Sequence, residues 1–196
     1  MARMAAVNRQ TTETTISLTL RLEGTGQFSG QTGIGFMDHM LTLFAHHGRF
    51  DLTLSCAGDT FVDDHHSVED IGIALGQAFA QALDDKRGIT RYGSFLLPMD
   101  EALVQIALDI SGRTSLQYGL ELPTEKIGTF DTQLVEEFLL GFARALPMSL
   151  HVRQLAGRNS HHIAEALFKG FGRALAMACA IDPARAGDIP STKGSL

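Results

Sequence analysis

The chain lacks the features of a disulfide scaffold, a membrane protein or a secreted protein. Its only two cysteines, Cys56 and Cys179, lie inside apolar segments, so we expect two buried free thiols and a reducing compartment. No stretch approaches the roughly 18 consecutive apolar residues of a membrane span, and no apolar run of signal-peptide length follows the basic residues near the N-terminus. We therefore predict a cytoplasmic protein.

Positive charge and linker-like segments are also scarce. The formal net charge is −6 and no lysine-rich stripe occurs, which argues against general nucleic-acid binding. Proline, glycine and serine do not gather into a linker. The chain has no tryptophan and two tyrosines. Its large apolar patches are compatible with an oligomer, although hydrophobic periodicity alone does not distinguish core residues from interface residues.

One pattern occurs twice in the chain. The segments 65–69 and 161–165 both read His-His-x-x-Glu, and they stand 96 residues apart. Each opens an apolar stretch of helical period, so both are predicted at helix N-termini. We expect two similar halves, residues 1–88 and 89–196, that pack together as one compact domain because each buries too little surface alone.

Hydrophobic periodicity predicts an α+β fold with an internal duplication. Each half is expected to be a mixed β-sheet with two helices on one face, and the two helical layers should pack together. Strands are predicted at 15–22, in a short return strand after the turn at 24–26, and at 50–56, 92–97, 102–110, 115–122 and 149–155. Helices are predicted at 37–46, 65–83 and 132–145, and from residue 161 onward.

Helical geometry explains why a histidine doublet suits metal binding. Residues i and i+4 lie within about 40° of each other on a helix, whereas neighbours are about 100° apart. His65 and Glu69 therefore share a face while His66 points elsewhere, and the same holds in the second cluster. Four imidazoles and two carboxylates suit Mn, Fe, Co, Ni or Zn. The alternative, an exposed helix start with side-chain capping, is weakened by the repetition.

Several other residues are candidates for the same chemistry. His39 follows Asp38, which suits either an oriented metal ligand or a capping pair. His46 and His47 end the same predicted helix, where they would interact favourably with its dipole. Basic residues beside glycines, and a hydroxyl-rich tail, suit a phosphate or are solvated charges: Arg91, Arg113, Lys169, Ser191 and Lys193.

Several motifs together resemble the imidazoleglycerol-phosphate dehydratase family of histidine biosynthesis. They are Gly-Phe-Met-Asp-His-Met-Leu at 35–41, Asp-Asp-His-His-Ser-Val-Glu-Asp at 63–70, and Gly-Arg-Asn-Ser-His-His-Ile-Ala-Glu-Ala at 157–166. Arg-Gln-Thr-Thr-Glu-Thr at 9–14 and Ile-Pro-Ser-Thr-Lys-Gly at 189–194 extend the resemblance over nearly the whole chain. The sequence shows no motif of the phosphatase domain that is fused to some members, so we expect the monofunctional form.

The resemblance implies a set of ligands and substrate contacts. Two manganese ions per active site would be held, with the substrate imidazole between them, by His39, His65, His66, Glu69, His161, His162 and Glu165. Substrate contacts would come from Glu13, His47, Arg91, Arg113, Lys169, Ser191 and Lys193. Some members have a histidine ligand where this chain has Glu137, which leaves that ligand uncertain. The implied assembly is a homo-oligomer of 24 subunits with sites between subunits.

The implied reaction removes water from imidazole glycerol phosphate to give imidazole acetol phosphate. An imidazolate would expel the neighbouring hydroxyl to give a diazafulvene-like species, and a base would then remove a carbon-bound proton. Glu13 is the candidate base, with Glu69 and Glu165 as alternatives, and His47 would shuttle a proton or contact phosphate. Two other functions fit the clusters alone: a binuclear metallohydrolase, or a non-catalytic metal-binding oligomer, which would not need the basic residues.

Overall fold

A computed structural model of the protein describes residues 3–196, so the first two residues of the predicted 1–88 half lie outside it. The first half contains four strands and two helices: β1 (Met4–Gln10), β2 (Thr14–Arg21), β3 (Phe28–Gln31), α1 (Gly35–Gly48), β4 (Asp51–Gly58) and α2 (His65–Leu83). The second contains β5 (Tyr92–Met99), β6 (Ala102–Asp109), β7 (Ser115–Gly119), β8 (Lys126–Ile127), β9 (Phe130–Asp131), α3 (Leu134–Ala145), β10 (Ser149–Ala156) and α4 (Ser160–Cys179).

The two halves repeat one sheet topology. The strand orders are β1-β2-β4-β3 and β5-β6-β10-β7. In each sheet the first three strands in that order pair antiparallel, and the short edge strand, β3 or β7, pairs parallel to its neighbour. The predicted α+β fold with an internal duplication is therefore confirmed.

Three parts of the secondary-structure prediction were wrong. β1 was missed because only Val7 on it is buried, so the strand carries little alternation. The short return strand exists as β3, but it pairs with β4 rather than folding back on β2, because β1 and β4 already occupy both edges of β2. The β8–β9 hairpin was also missed, since strands of two residues are too short to show a period.

The helices form the layer between the two sheets. α1 packs against α4 and α2 packs against α3. Each helix contributes one phenylalanine to a central cluster, in which the Phe44 and Phe171 rings lie 5.5 Å apart and the Phe79 and Phe142 rings also lie 5.5 Å apart. All four side chains are fully buried. The prediction that the helical layers pack together is confirmed.

Glycines set the close approach of the paired helices. A β-carbon at Gly172 in α4 would lie 2.5 Å from the carbonyl oxygen of Phe44 in α1. A β-carbon at Gly76 in α2 would lie 2.5 Å from the carbonyl oxygen of Phe142 in α3. Glycine is therefore required at both contacts, and the match shows that α1–α4 and α3–α2 are equivalent pairs. No helix within residues 3–196 is long and apolar enough to cross a membrane.

Candidate metal centre

The pairing of α1 with α4 brings His39 to the second histidine cluster. His39 Nε2 lies 2.8 Å from Glu165 Oε1, and His161 Nε2 lies 3.0 Å from the same oxygen. One ligand atom from each of these three residues falls within 4.8 Å of the others. This is a mixed imidazole and carboxylate donor set of the kind that binds first-row transition metals.

Lys169 completes this cluster on the side of the carboxylate away from the histidines. It lies one turn after Glu165 on α4, and its Nζ is 2.5 Å from Glu165 Oε2 and 3.2 Å from Met99 Sδ. Burial raises the pKa of Glu165, but hydrogen bonds from Lys169, His39 and His161 outweigh it and lower the pKa to about 2. The carboxylate is therefore ionised, and both of its oxygens are engaged.

In the first cluster, His66 is placed between two carboxylates. Its Nδ1 lies 3.0 Å from Asp59 Oδ2, and its Nε2 lies 4.0 Å from Glu13 Oε1. The hydrogen bond with Asp59 raises the pKa of His66. The backbone N–H of Asp59 donates to the Glu13 carbonyl at 3.1 Å, so the turn carrying Glu13 is fixed beside this histidine.

The second doublet has a similar arrangement that the sequence prediction missed. His162 Nδ1 lies 2.6 Å from Glu101 Oε2, and its Nε2 lies 3.6 Å from Asp100 Oδ2. The hydrogen bond with Glu101 raises the pKa of His162 and lowers the pKa of Glu101 to about 2. The only signal in the sequence was a pair of acidic residues between two predicted strands.

Asp70, the residue after the first His-His-x-x-Glu motif, is a second missed group. It is buried, and its Oδ1 accepts from Arg9 Nε at 3.0 Å and Nη2 at 2.6 Å. The Thr14 hydroxyl donates to its other oxygen. Asp70 therefore ties the start of α2 to the β1–β2 turn, which carries Glu13.

His65, Glu69 and Glu137 do not join a three-ligand cluster within the described part of the chain. Glu69 Oε1 lies 4.0 Å from Arg144 Nη1, so the ion pair of Arg144 is with Glu69 and not with Glu137. Glu137 stands in the first turn of α3. Since Phe142 of α3 matches Phe44 of α1 at the glycine contacts, counting back five residues from each places Glu137 at the position equivalent to His39.

The predicted phosphate ligands near the tail form a separate group. The Arg91 guanidinium donates to Asp109 through Nε at 2.6 Å and through Nη2 at 3.0 Å, and its Nη1 donates to the Pro190 carbonyl at 2.8 Å. Arg91 and Ser191 line an open cavity of about 670 Å³ together with Arg87, Arg185 and Thr192. A β-carbon at Gly112 would lie 2.7 Å from the carboxyl carbon of Leu196, which places the turn before Arg113 against the chain end.

The two groups lie at opposite ends of α4. The metal cluster uses His161 and Glu165 in the first turns of the helix, whereas the backbone N–H of Arg91 donates to the carbonyl of Ala178 near its end. At 1.5 Å per residue, the helix separates Glu165 from Ala178 by about 20 Å. Lys169 therefore lies with the metal cluster, and Arg91 with the tail.

His47 lies at the end of α1 in another basic environment. A cavity of about 370 Å³ is lined by His46, His47, Arg49, Arg173 and Thr25. Burial lowers the pKa of His47, and the nearby charges of His46, Arg173 and Lys169 lower it further. A neutral imidazole in a cationic cavity can contact an anion or carry a proton.

Comparison with known proteins identifies the class of enzyme that this fold and site define. The sequence model of the family described as imidazoleglycerol-phosphate dehydratase matches residues 32–175. The enzyme of that name from Dinoroseobacter shibae is 58% identical over 194 residues, covering 99% of this chain and 100% of the relative. The one from Microcystis aeruginosa is 57% identical over 194 residues, covering 99% of this chain and 93% of the relative.

Solved structures agree with the sequence comparison. The imidazoleglycerol-phosphate dehydratase of Staphylococcus aureus superposes with a TM-score of 0.83 at 38% identity, covering 91% of this chain and 99% of the other. The Pyrococcus furiosus structure gives 0.81 at 36% identity, covering 97% and 100%. The chain therefore belongs to the imidazoleglycerol-phosphate dehydratase family, as the resemblance indicated. It is an enzyme of the hydro-lyase class.

Proposed function

We propose that the protein dehydrates imidazole glycerol phosphate to imidazole acetol phosphate in histidine biosynthesis, at a binuclear manganese site completed by a second subunit. Membership of the family supports the reaction. The separation of the histidine cluster from the tail cavity along α4 is the observation that supports the shared site.

Within a single chain, the metal cluster and the tail cavity lie too far apart to bind the two ends of one substrate molecule. With single bonds near 1.5 Å, the short carbon chain between the imidazole ring and the phosphate spans less than about 10 Å. The metal cluster and the Arg91 region lie about 20 Å apart along α4. The ring would therefore bind at the cluster of one subunit and the phosphate at the tail cavity of another. A homo-oligomer follows, and we propose the 24-subunit form.

The donor atoms of the chain fit manganese. His39, His161 and Glu165 form one ready-made group. The equivalent positions of the repeat are Glu137 on α3 and His65 and Glu69 on α2, which would hold the second ion. His66 and His162 have Nδ1 engaged by carboxylates, which leaves Nε2 for a metal. Two manganese ions on the substrate ring would lower the pKa of its N–H and so help the neighbouring hydroxyl to leave.

Glu13 is the best placed base in this proposal. Both oxygens of Glu165 are occupied, by two histidines on one side and Lys169 on the other. The Glu13 carboxylate is half exposed and lies 4.0 Å from His66 Nε2, so it is free to remove a carbon-bound proton. Glu165 would be committed to the metal and to Lys169, and His47 would carry a proton or contact phosphate.

The phosphate would meet donors from two chains. Arg91, Arg113, Ser191 and Lys193 would come from the subunit that supplies the tail, and Lys169 from the subunit that supplies the metal cluster. Charge-assisted hydrogen bonds of this kind hold phosphates well. We also propose a cytoplasmic location, because Cys56 and Cys179 are both free thiols.

Anaerobic metal analysis combined with turnover tests the reaction. We expect purified protein to contain manganese and to convert imidazole glycerol phosphate to the acetol phosphate without releasing inorganic phosphate. Release of phosphate with no dehydration would instead assign a metallohydrolase. Bound manganese with neither reaction would assign a metal-binding protein without catalysis.

Subunit mixing tests the shared site. Glu165→Gln impairs the metal cluster, and truncation after Pro190 removes the tail donors. The two impaired proteins would be stripped of metal, mixed in equal amounts and reassembled with Mn²⁺. A shared site predicts recovery of about one quarter of the wild-type activity, because random pairing joins an intact cluster to an intact tail in that fraction of sites. No recovery would mean that each site lies within one chain.

A further inference from the structure

The carboxylates of Asp59 and Glu101 lie outside the repeated motifs, yet they contact the same ring nitrogen in the two doublets. Asp59 reaches His66 Nδ1 from the loop after β4, with Oδ2 at 3.0 Å and Oδ1 at 3.2 Å. Glu101 reaches His162 Nδ1 from the β5–β6 turn, with Oε2 at 2.6 Å. The same contact is thus made once in each half, but by loops at different positions in the fold.

Backbone hydrogen bonds hold the Glu101 carboxylate and the main chain at Asp59. Glu101 Oε1 accepts from the backbone N–H groups of Arg158 and Asn159 at 3.2 and 2.9 Å, which leaves Oε2 for the histidine. Asp59 is fixed by its own backbone, because its N–H donates to the Glu13 carbonyl and its carbonyl accepts from Val62 N–H at 2.8 Å. The Glu101 carboxylate is therefore anchored independently of the His162 ring, and the Asp59 side chain projects towards His66 from a fixed backbone.

We propose that Asp59 and Glu101 are positioning residues, which fix the Nδ1–H tautomer of His66 and His162 so that Nε2 of each ring is presented to the metal. An imidazole that donates from Nδ1 carries its lone pair on Nε2, and a carboxylate partner makes that lone pair a better ligand. Asp100 lies 3.6 Å from His162 Nε2 and Glu13 lies 4.0 Å from His66 Nε2, so both free nitrogens face negative charge that suits a cation.

This inference rests on the proposed metal site, and the affinity of the metal-stripped, full-length protein for Mn²⁺ tests it. Free Mn²⁺ would be followed by electron paramagnetic resonance. We expect Glu101→Ala and Asp59→Ala to weaken binding by about 10- to 100-fold. Glu101→Gln should give a smaller loss, because its amide oxygen still accepts from Nδ1–H without the charge. Glu121→Gln is the control, since no hydrogen bond of its carboxylate occurs within residues 3–196.

The melting temperature of the metal-free protein and a crystal structure separate this role from simple stabilisation. We expect the His162 ring to lose its fixed orientation in metal-free Glu101→Ala. If the alanine variants lower the melting temperature but bind Mn²⁺ as tightly as the Glu121→Gln control, the carboxylates only stabilise the fold and the inference is overturned. If the wild-type protein itself takes up no Mn²⁺, the proposed metal centre fails, and this inference fails with it.

Discussion

Asp70 shows how a single buried carboxylate can hold two parts of the site together. It accepts from Arg9 and Thr14, and it directly follows Glu69 in the chain. Asp70→Ala would leave the Arg9 guanidinium without its acceptor, and since Arg9 is 27% exposed the loss is moderated by solvent. We expect the free energy of unfolding of the metal-free protein to fall by about 1–3 kcal/mol in urea denaturation.

Asp85→Ala is the matched control for this variant. The ion pair of Asp85 with Arg87 has both side chains more than half exposed, so its removal should change the free energy of unfolding by less than about 0.5 kcal/mol. Equal losses in the two variants would mean that burial of Asp70 has no energetic consequence. A selective loss of activity in Asp70→Ala would support its link to the Glu13 turn.

Asp51, which is outside the proposed ligand set, provides a residue-scale test by pH. Its Oδ1 accepts hydrogen bonds from the backbone N–H groups of Thr25, Gly26 and Gln27 at 2.7–3.2 Å. These hydrogen bonds lower the pKa of Asp51, and the bond from Thr25 has the largest effect. Because the folded pKa lies below the unfolded value near 3.9, the stabilisation is complete above that value and is lost as the pH falls below it.

Asp51→Ala should therefore be destabilised relative to wild type by about 1–2 kcal/mol at pH 7. The difference should shrink as the pH is lowered from about 5 to 3. Urea denaturation of both metal-free proteins across that range measures it. A difference that stays constant with pH would show that the Asp51 charge does not stabilise the turn.

At the scale of elements, the C-terminal tail is expected to bind phosphate. Arg91 holds the Pro190 carbonyl, so truncation after Pro190 removes Ser191 and Lys193 while keeping this anchor. Loss of one charge-assisted contact typically costs about 1.5–3 kcal/mol. We therefore expect kcat/KM to decrease by a factor between roughly ten and somewhat over one hundred. Lys193→Met should show part of the effect. Unchanged kinetics would make the tail a passive end.

The equivalence of α1 and α3 makes Glu137 a test of the duplicated site. As the counterpart of His39, Glu137 should bind metal near Glu69 and His65, so Glu137→Gln should weaken Mn²⁺ binding while changing the free energy of unfolding by less than about 0.5 kcal/mol. Glu136→Gln, its neighbour on α3, is the control. Unchanged Mn²⁺ affinity would restrict Glu137 to a structural role.

At the scale of the whole molecule, metal removal should affect assembly as well as activity. Ligands drawn from different subunits couple metal binding to association. We expect chelation to shrink the particle in size-exclusion chromatography with light scattering, and Mn²⁺ to restore both size and activity. Full particle size after chelation, with no recovery of activity on adding Mn²⁺, would contradict a metal site shared between subunits.

The local features of this protein could be predicted from its sequence. The helix starts at the two histidine doublets, the duplicated fold class and the shared face of Glu165 and Lys169 all follow from periods of 3.6 and 2 residues. These periods depend on the geometry of one element at a time, so the sequence carries them directly. The division of the chain at residue 88 stays a prediction.

Only the tertiary structure decided which of these elements meet. His39 joins His161 and Glu165 because α1 packs on α4. The hydrophobic periodicity of one segment does not predict which helices pack against each other. Strand pairing also sets the positions of the loops and turns that bring three carboxylates to their hydrogen-bond partners: Asp59 to His66, Glu101 to His162, and Asp70 to Arg9. The tail and the metal cluster were separated by the length of α4. Contacts between distant segments depend on how whole elements pack, and a pattern within one segment does not encode that arrangement.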